Sequence, residues 1–282
     1  MTSAANVSIS AFFVSDQTGI TAQTMGSALL AQFPDAHVVR RTFPFVNSPE
    51  RAQRVLAEAR ASDRVTVMLT TVRIPEVATA LNTGECLVMD LLSAHLRTLE
   101  AALGLRRSEA PERHHGAGDA DHYRSRIQAI EYTMEHDDAQ SVRMLNLADL
   151  FLIAPSRCGK TPTAMYMALQ HRLRVANYPL TEDDGPDLEL PMAIAPYAAK
   201  CFGLTSTPQR LSQLREERRP GSEYASLAQC RRELRWAESL YRRHGIPSVS
   251  SAGTSVEEIA ATILQAMNLR GVSIPSPAMR RR

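Results

Sequence analysis

The chain has 282 residues, 44% hydrophobic and 22% charged, with a formal net charge of +2. That length allows one large or two modest domains with a full core. The near-neutral balance gives no bulk electrostatic case for nucleic acid or a membrane surface. No run approaches the ~20 apolar residues of a membrane span, and four scattered cysteines (Cys86, Cys158, Cys201, Cys230) without a CxxC pair exclude a disulfide framework or zinc site.

Cysteine usage of this kind points to the cytoplasm. The first residues lack a basic start followed by a long apolar stretch, so no secretory signal is expected. Residues 7–14 are apolar and β-rich and are broken by Ser15-Asp16-Gln17-Thr18-Gly19. Helical spacing follows over 21–32, a strand over 37–45, and a helix opened by Ser48 as N-cap and Pro49 in the first turn. A strand over 65–70, a short helix over 75–82, a strand over 86–91 and a helix to about Leu103 complete the first half. The pattern fails from Arg106 to Asp121, which reads as a linker. A helix over 121–136 leads to a strand over 147–154, a helix over 162–171 and a strand over 174–179. A short strand at 201–204, a helix from about Gln209, an Arg-rich helix over 226–244 and a strand at 248–250 follow. A last helix over 255–267 carries a capping box of Ser255 and Glu258. Strands alternating with helices predict an α/β protein with parallel sheets. The expected division is an N-terminal α/β domain over 1–105, a linker and helix over 106–145, and a C-terminal α/β domain over 146–282.

Only two of the 32 basic residues are lysines, Lys160 and Lys200. A chain so biased to arginine keeps lysine where a wide planar fork does not fit, and a cradle of backbone amides around phosphate is such a place. Lys160 ends the run Ser156-Arg157-Cys158-Gly159-Lys160-Thr161, between a predicted strand and helix. A loop there presents unpaired amides to an anion, the lysine adds a movable charge, and the threonine hydroxyl suits Mg²⁺. Ala154 stands where such a loop has its first glycine, and Pro155 lacks an amide hydrogen. The fork of Arg157 offsets that loss.

The run from Ser156 to Thr163, with Arg174-Val175-Ala176-Asn177-Tyr178-Pro179-Leu180, resembles the bacterial phosphoenolpyruvate synthase regulatory proteins, grouped with the regulators of pyruvate, phosphate dikinase. The likeness extends over nearly the whole chain: Val14 to Gly19, the His136-Asp137-Asp138 element, Lys200 to Thr205, Glu217-Arg218-Arg219, Tyr224 to Leu227, and Cys230-Arg231. It departs at Ala154 and Pro155, where that family has Gly-Val. The resemblance implies a C-terminal P-loop kinase-like domain and a bifunctional enzyme. Such an enzyme phosphorylates a threonine of phosphoenolpyruvate synthase with ADP as donor, and removes the phosphate by attack of inorganic phosphate, giving pyrophosphate. It also implies a homodimer. The same chemistry on pyruvate, phosphate dikinase, and a non-enzymatic module that only senses ADP, are the alternatives.

On this reading the segment Ala154, Pro155, Ser156, Arg157, Cys158, Gly159, Lys160 and Thr161 holds the ADP phosphates, and Lys160 is also catalytic. Thr161 binds Mg²⁺, joined by Asp183 from the acidic run Glu182-Asp183-Asp184. Asp137 or Asp138 is the general base for the target threonine, with His136 as another candidate. Lys200 is either a phosphate contact or a surface lysine. The turn Asp16, Thr18, Gly19 is either a second phosphate site or plain turn chemistry, and the Arg-rich helix either a docking face or a solvated one.

Overall fold

The computed structural model describes residues 7–106, 120–181 and 188–269. Most of the expected linker and the acidic run with Asp183 lie outside the described residues. The chain forms two compact units, 1–113 and 114–282.

In the first unit, β1 (Ser8–Val14), α1 (Ile20–Leu30), β2 (His37–Phe43), α2 (Pro49–Arg60), β3 (Val65–Thr70), α3 (Pro75–Leu81), β4 (Leu87–Asp90) and α4 (Ser93–Leu103) alternate as predicted. The sheet is parallel, in the order β2-β1-β3-β4. Period-two alternation sends Ala11 and Phe13 to the face that meets Ala22 and Leu30 of α1. Phe12 and Val14 go to the face covered by Val55 and Leu56 of α2 and Val77 of α3.

The second unit has α5 (Ala120–Glu135), β5 (Leu150–Ala154), α6 (Lys160–His171), β6 (Val175–Pro179), β7 (Cys201–Thr205), α7 (Pro208–Glu216), α8 (Leu227–His244), β8 (Ser248–Ser250) and α9 (Val256–Ala266). Its sheet is also parallel, ordered β6-β5-β7-β8. Leu150 and Leu152 face α6 and α9, whereas Phe151 and Ile153 face Tyr132 of α5 and Ala237, Leu240 and Tyr241 of α8. Helix α5 packs on α6 and β6, so this part of the 106–145 segment belongs to the second unit. Side chains at Ser48, Thr207 and Ser255 cap α2, α7 and α9, and the box with Glu258 is formed.

Two starts differ from expectation. Residues 145–147 form a 3-10 turn, so β5 begins at Leu150. Helix α6 begins at Lys160, two residues before Pro162, because Gly159 takes the left-handed conformation that the turn into the helix requires. Gly203 has a packing reason: a Cβ there would lie 2.6 Å from the Tyr241 ring. The Tyr241 hydroxyl lies 2.8 Å from the carbonyl of Ile153 and 3.2 Å from that of Leu204. Among the described residues no helix is long and apolar enough to cross a membrane.

Candidate functional site

In each sheet the chain leaves its first strand to one side and returns on the other. The carboxyl ends of that strand and its later neighbour therefore flank a crevice, where ligands bind in open α/β sheets. In the second unit this crevice holds the loop from Pro155 to Gly159, between β5 and α6. Arg157 and Gly159 both have left-handed backbone, φ 74° and 87°. Left-handed residues of this kind turn nearby amides into an anion-binding concavity. The amides of Arg157, Cys158, Gly159, Lys160 and Thr161 have no hydrogen-bond acceptor among the described residues. They include the orphan donors of a helix start, where the dipole favours negative charge.

Lys160 is 4% exposed. Its Nζ donates to the carbonyl of Pro155 at 3.4 Å and lies 3.7 Å from Oδ1 of Asp138. Burial lowers the pKa of this ammonium, and Asp138, Cys158 and Asp137 oppose that shift. A phosphate would supply the second negative partner that a buried cation needs. Cys158 is fully buried, and burial pushes its thiol up to about 12 despite the nearby lysine, so it contributes backbone rather than a nucleophile. Ala154 is also fully buried, and its carbonyl accepts from Leu180. A cleft of about 270 Å³ opens beside the loop. Ser156, Arg157, Gly159, Lys160 and Thr161 line one side and Asp138 reaches it from the turn after α5. Leu214, Glu217 and Arg218, at the end of α7 and just beyond it, form the other wall.

The two aspartates part company. Asp137 accepts from the hydroxyl of Thr161 at 2.8 Å and from the amide of Asn177, which also donates to Thr161 Oγ1 at 3.0 Å. Asp138 lines the cleft beside Lys160. The split arises in a 3-10 turn over Asp137–Ala139, where Asp138 and Ala139 have φ of 47° and 58°. Left-handed non-glycine residues carry strain that the surroundings must hold, and such residues cluster at functional sites. The turn is tied to β6, since the Asn177 amide donates to the carbonyl of His136 at 3.0 Å.

His136, the other candidate base, is turned into the fold. Its Nδ1 lies 2.7 Å from the carbonyl of Tyr132 and its Nε2 2.6 Å from that of Arg143, and its ring stacks on Tyr132. Both nitrogens are engaged inside the fold. Lys200 is likewise structural: it donates to the carbonyl of Ala148 at 2.7 Å, just before β5 and at the opposite strand end from the loop. At the first unit's matching turn, the carboxylate of Asp16 accepts from the amide of Arg73 and the hydroxyl of Ser15 accepts from Gln17 and Thr71. That turn's polar groups serve its own closure.

Sequence reasoning missed Asn177, whose signal is a polar residue in the otherwise apolar run Val175-Ala176-Asn177, all of it buried. It also missed Arg215, which is fully buried. Arg215 forms a paired contact with Glu233 (3.1 and 2.6 Å), donates to the carbonyl of Tyr224 at 3.0 Å, and donates to the carbonyl of Ser156 from both Nε (3.3 Å) and Nη2 (3.1 Å). Burial works against its charge, but the bonded Glu233 outweighs that and leaves its pKa raised. Position 215 lies four residues after Leu211, on the buried stripe of α7, which is the signal that marks it.

A strand-loop-helix turn with a buried lysine and a facing carboxylate is an arrangement suited to an anion such as phosphate. The family model described as kinase/pyrophosphorylase matches residues 11–264, and the chain belongs to that family. It is 44% identical over 261 residues to a protein of Methylibium petroleiphilum named as a phosphoenolpyruvate synthase regulatory protein, covering 90% of this chain and 94% of the relative. Proteins with the same name from Bordetella avium (40% over 271 residues, covering 95% and 99%) and Pseudomonas putida (42% over 258 residues, covering 90% and 95%) are similar along most of their length.

Proposed function

We propose that this chain switches phosphoenolpyruvate synthase by placing and removing a phosphoryl group on one of its threonines. In the forward direction the β-phosphoryl of ADP moves to the threonine oxygen, AMP leaves and the hydroxyl proton is released. In the reverse direction inorganic phosphate attacks the phosphothreonine phosphorus, the threonine oxygen leaves and recovers a proton, and pyrophosphate forms. Both directions move one phosphoryl group between a hydroxyl and a phosphate, so one cradle serves both.

The observation that carries the reading is the buried ammonium of Lys160 in a loop whose amides have no acceptor among the described residues. On this proposal those groups hold the phosphate that is donor in one direction and acceptor in the other. Arg157 and Arg218 add charge from the cleft walls. Asp138 takes the threonine proton and returns it, since of the two aspartates in its turn it is the one that lines the cleft, on the Lys160 side. Asp137 is assigned to holding Thr161 and Asn177.

Mg²⁺ fits the oxygens present. The Thr161 hydroxyl and an Asp137 oxygen lie 2.8 Å apart, and the side-chain oxygen of Asn177 is buried with no hydrogen-bond partner among the described residues. Among the described residues no three His, Cys, Asp or Glu side chains cluster. That suits a metal whose other ligands are water and phosphate. Thr161 with Asp137 would hold the ion. The ion supplies charge neutralisation on the phosphates.

Mass spectrometry of purified phosphoenolpyruvate synthase after incubation with this chain and ADP tests the proposal. The expected result is one added phosphate on a threonine, erased by inorganic phosphate with release of pyrophosphate. ADP binding without any phosphothreonine would overturn it.

A further inference from the structure

We propose that the segment from α7 to α8 acts as a clamp that aims the phosphate loop, with Arg215 and Tyr224 as positioning residues and Glu233 as the counter-charge that holds Arg215 in place. The clamp rests on the proposed phosphate role of the loop, and concerns how that loop keeps its shape. Ser156 is gripped twice. Its carbonyl accepts two bonds from the Arg215 guanidinium, and its hydroxyl accepts from the Tyr224 hydroxyl at 2.9 Å. The guanidinium carbon lies 4.2 Å from the centre of the Tyr224 ring, so the two gripping groups also brace each other. In a trans peptide the carbonyl and the following N–H point in opposite directions. Fixing the Ser156 carbonyl on Arg215 therefore turns the Arg157 amide away from the clamp. Arg157 is the non-glycine residue held at φ 74°, a conformation that persists only where neighbours over-determine it.

The same arginine registers the opposite wall. Leu214, Glu217 and Arg218 flank Arg215 and line the cleft. Anchoring Arg215 to Ser156 thus sets the spacing between the loop and the wall that carries Arg218. A buried ion pair adds little net stability compared with apolar packing, so its use here is geometric.

The test avoids cutting Arg215, whose loss threatens folding. Tyr224→Phe removes one hydroxyl and Ser156→Ala removes its partner. Hydrogen exchange of the Thr163 amide, which donates to the loop carbonyl of Gly159 at 3.2 Å, is measured without ligand for each and for the double variant, with ADP affinity and Tm. The expected result is exchange about 3- to 10-fold faster in Tyr224→Phe, the worth of one hydrogen bond, with ADP affinity weaker by a similar factor and Tm nearly unchanged. The double variant should match Ser156→Ala rather than multiply the two losses, because the two residues share one bond. Glu233→Gln, which loosens Arg215 without shortening it, should move exchange the same way. Unchanged Thr163 exchange in both Tyr224→Phe and Glu233→Gln, or losses that multiply, would overturn the clamp. Failure of the wild-type chain to bind ADP would instead overturn the proposed function, while the exchange data still decide the clamp.

Discussion

The two units share a strand order and a turn. Each leads its first strand into a helix through a left-handed glycine, Gly19 at φ 81° and Gly159 at φ 87°. The residue after the glycine differs. Ile20 is 59% exposed, whereas Lys160 is 4% exposed and faces Asp138. The side chains at the first turn close it on the loop after β3, through Asp16 to Arg73 and Ser15 to Thr71. At both turns the amides from the glycine into the helix start have no acceptor among the described residues, and at the second the bracing of the loop comes from the buried Arg215. A backbone turn that can bind phosphate is therefore a common by-product of this topology. What differs between the two is the buried cation after the second glycine and the buried guanidinium that holds its loop.

Three substitutions test that contrast, in decreasing order of expected effect. Arg215→Ala strands Glu233 beside the core and frees the Ser156 carbonyl, and should cost about 3–5 kcal/mol in denaturant unfolding of the second unit, as for other broken buried pairs. No polar group at the first unit's turn is expected to approach that figure. Lys160→Met should lower both phosphoryl-transfer rates by at least about 100-fold. It should also leave the unliganded protein as stable as before or about 1 kcal/mol more stable, because a desolvated charge is gone. Ile20→Met at the matching position should leave both rates unaltered.

The pH dependence of that stability difference has a defined sign. Burial lowers the Lys160 pKa from the ordinary lysine value. Between the folded and unfolded pKa values the unfolded chain binds more protons, so the wild type gains stability as pH rises through that window. The advantage of Lys160→Met is constant below the folded pKa and shrinks as pH rises toward the ordinary lysine value. An advantage that grew with pH in chemical denaturation would contradict the assigned burial.

Smaller losses than that of Arg215→Ala come from the glycines. Gly19→Ala and Gly159→Ala should each cost about 1–2 kcal/mol of stability from the left-handed backbone. Gly19→Ala also brings a methyl to 3.0 Å from Thr42. Only Gly159→Ala should weaken ADP binding in a calorimetric titration. Equal loss of binding from both would erase the distinction between the units.

Much of this was legible in the chain. Strand and helix alternation follows from apolar periodicity, and the starts of α2, α7 and α9 follow from Ser48, Thr207 and Ser255, because these are local effects that the nearby sequence carries. The Gly159-Lys160-Thr161 turn is local too. The features that escaped depend on contacts between distant residues. Arg215 and Glu233 are 18 positions apart and hidden among 30 arginines, so composition cannot tell a buried guanidinium from a solvated one. The lysine census singled out Lys160 and left Lys200 open, because scarcity marks a special environment without saying which kind. A carbonyl at the start of a strand suited Lys200 as well as phosphate would have. The separate roles of Asp137 and Asp138 depend on two left-handed residues in a row, which no residue preference forecasts.

The turn that delivers Asp137 and Asp138 precedes β5 and is stitched to β6 through His136 and Asn177. A shorter recombinant chain begun at the strand before the loop would carry every loop residue and still lack both carboxylates. The smallest piece worth expressing for enzymology therefore begins upstream of Ala120, where the helix that presents those acids starts.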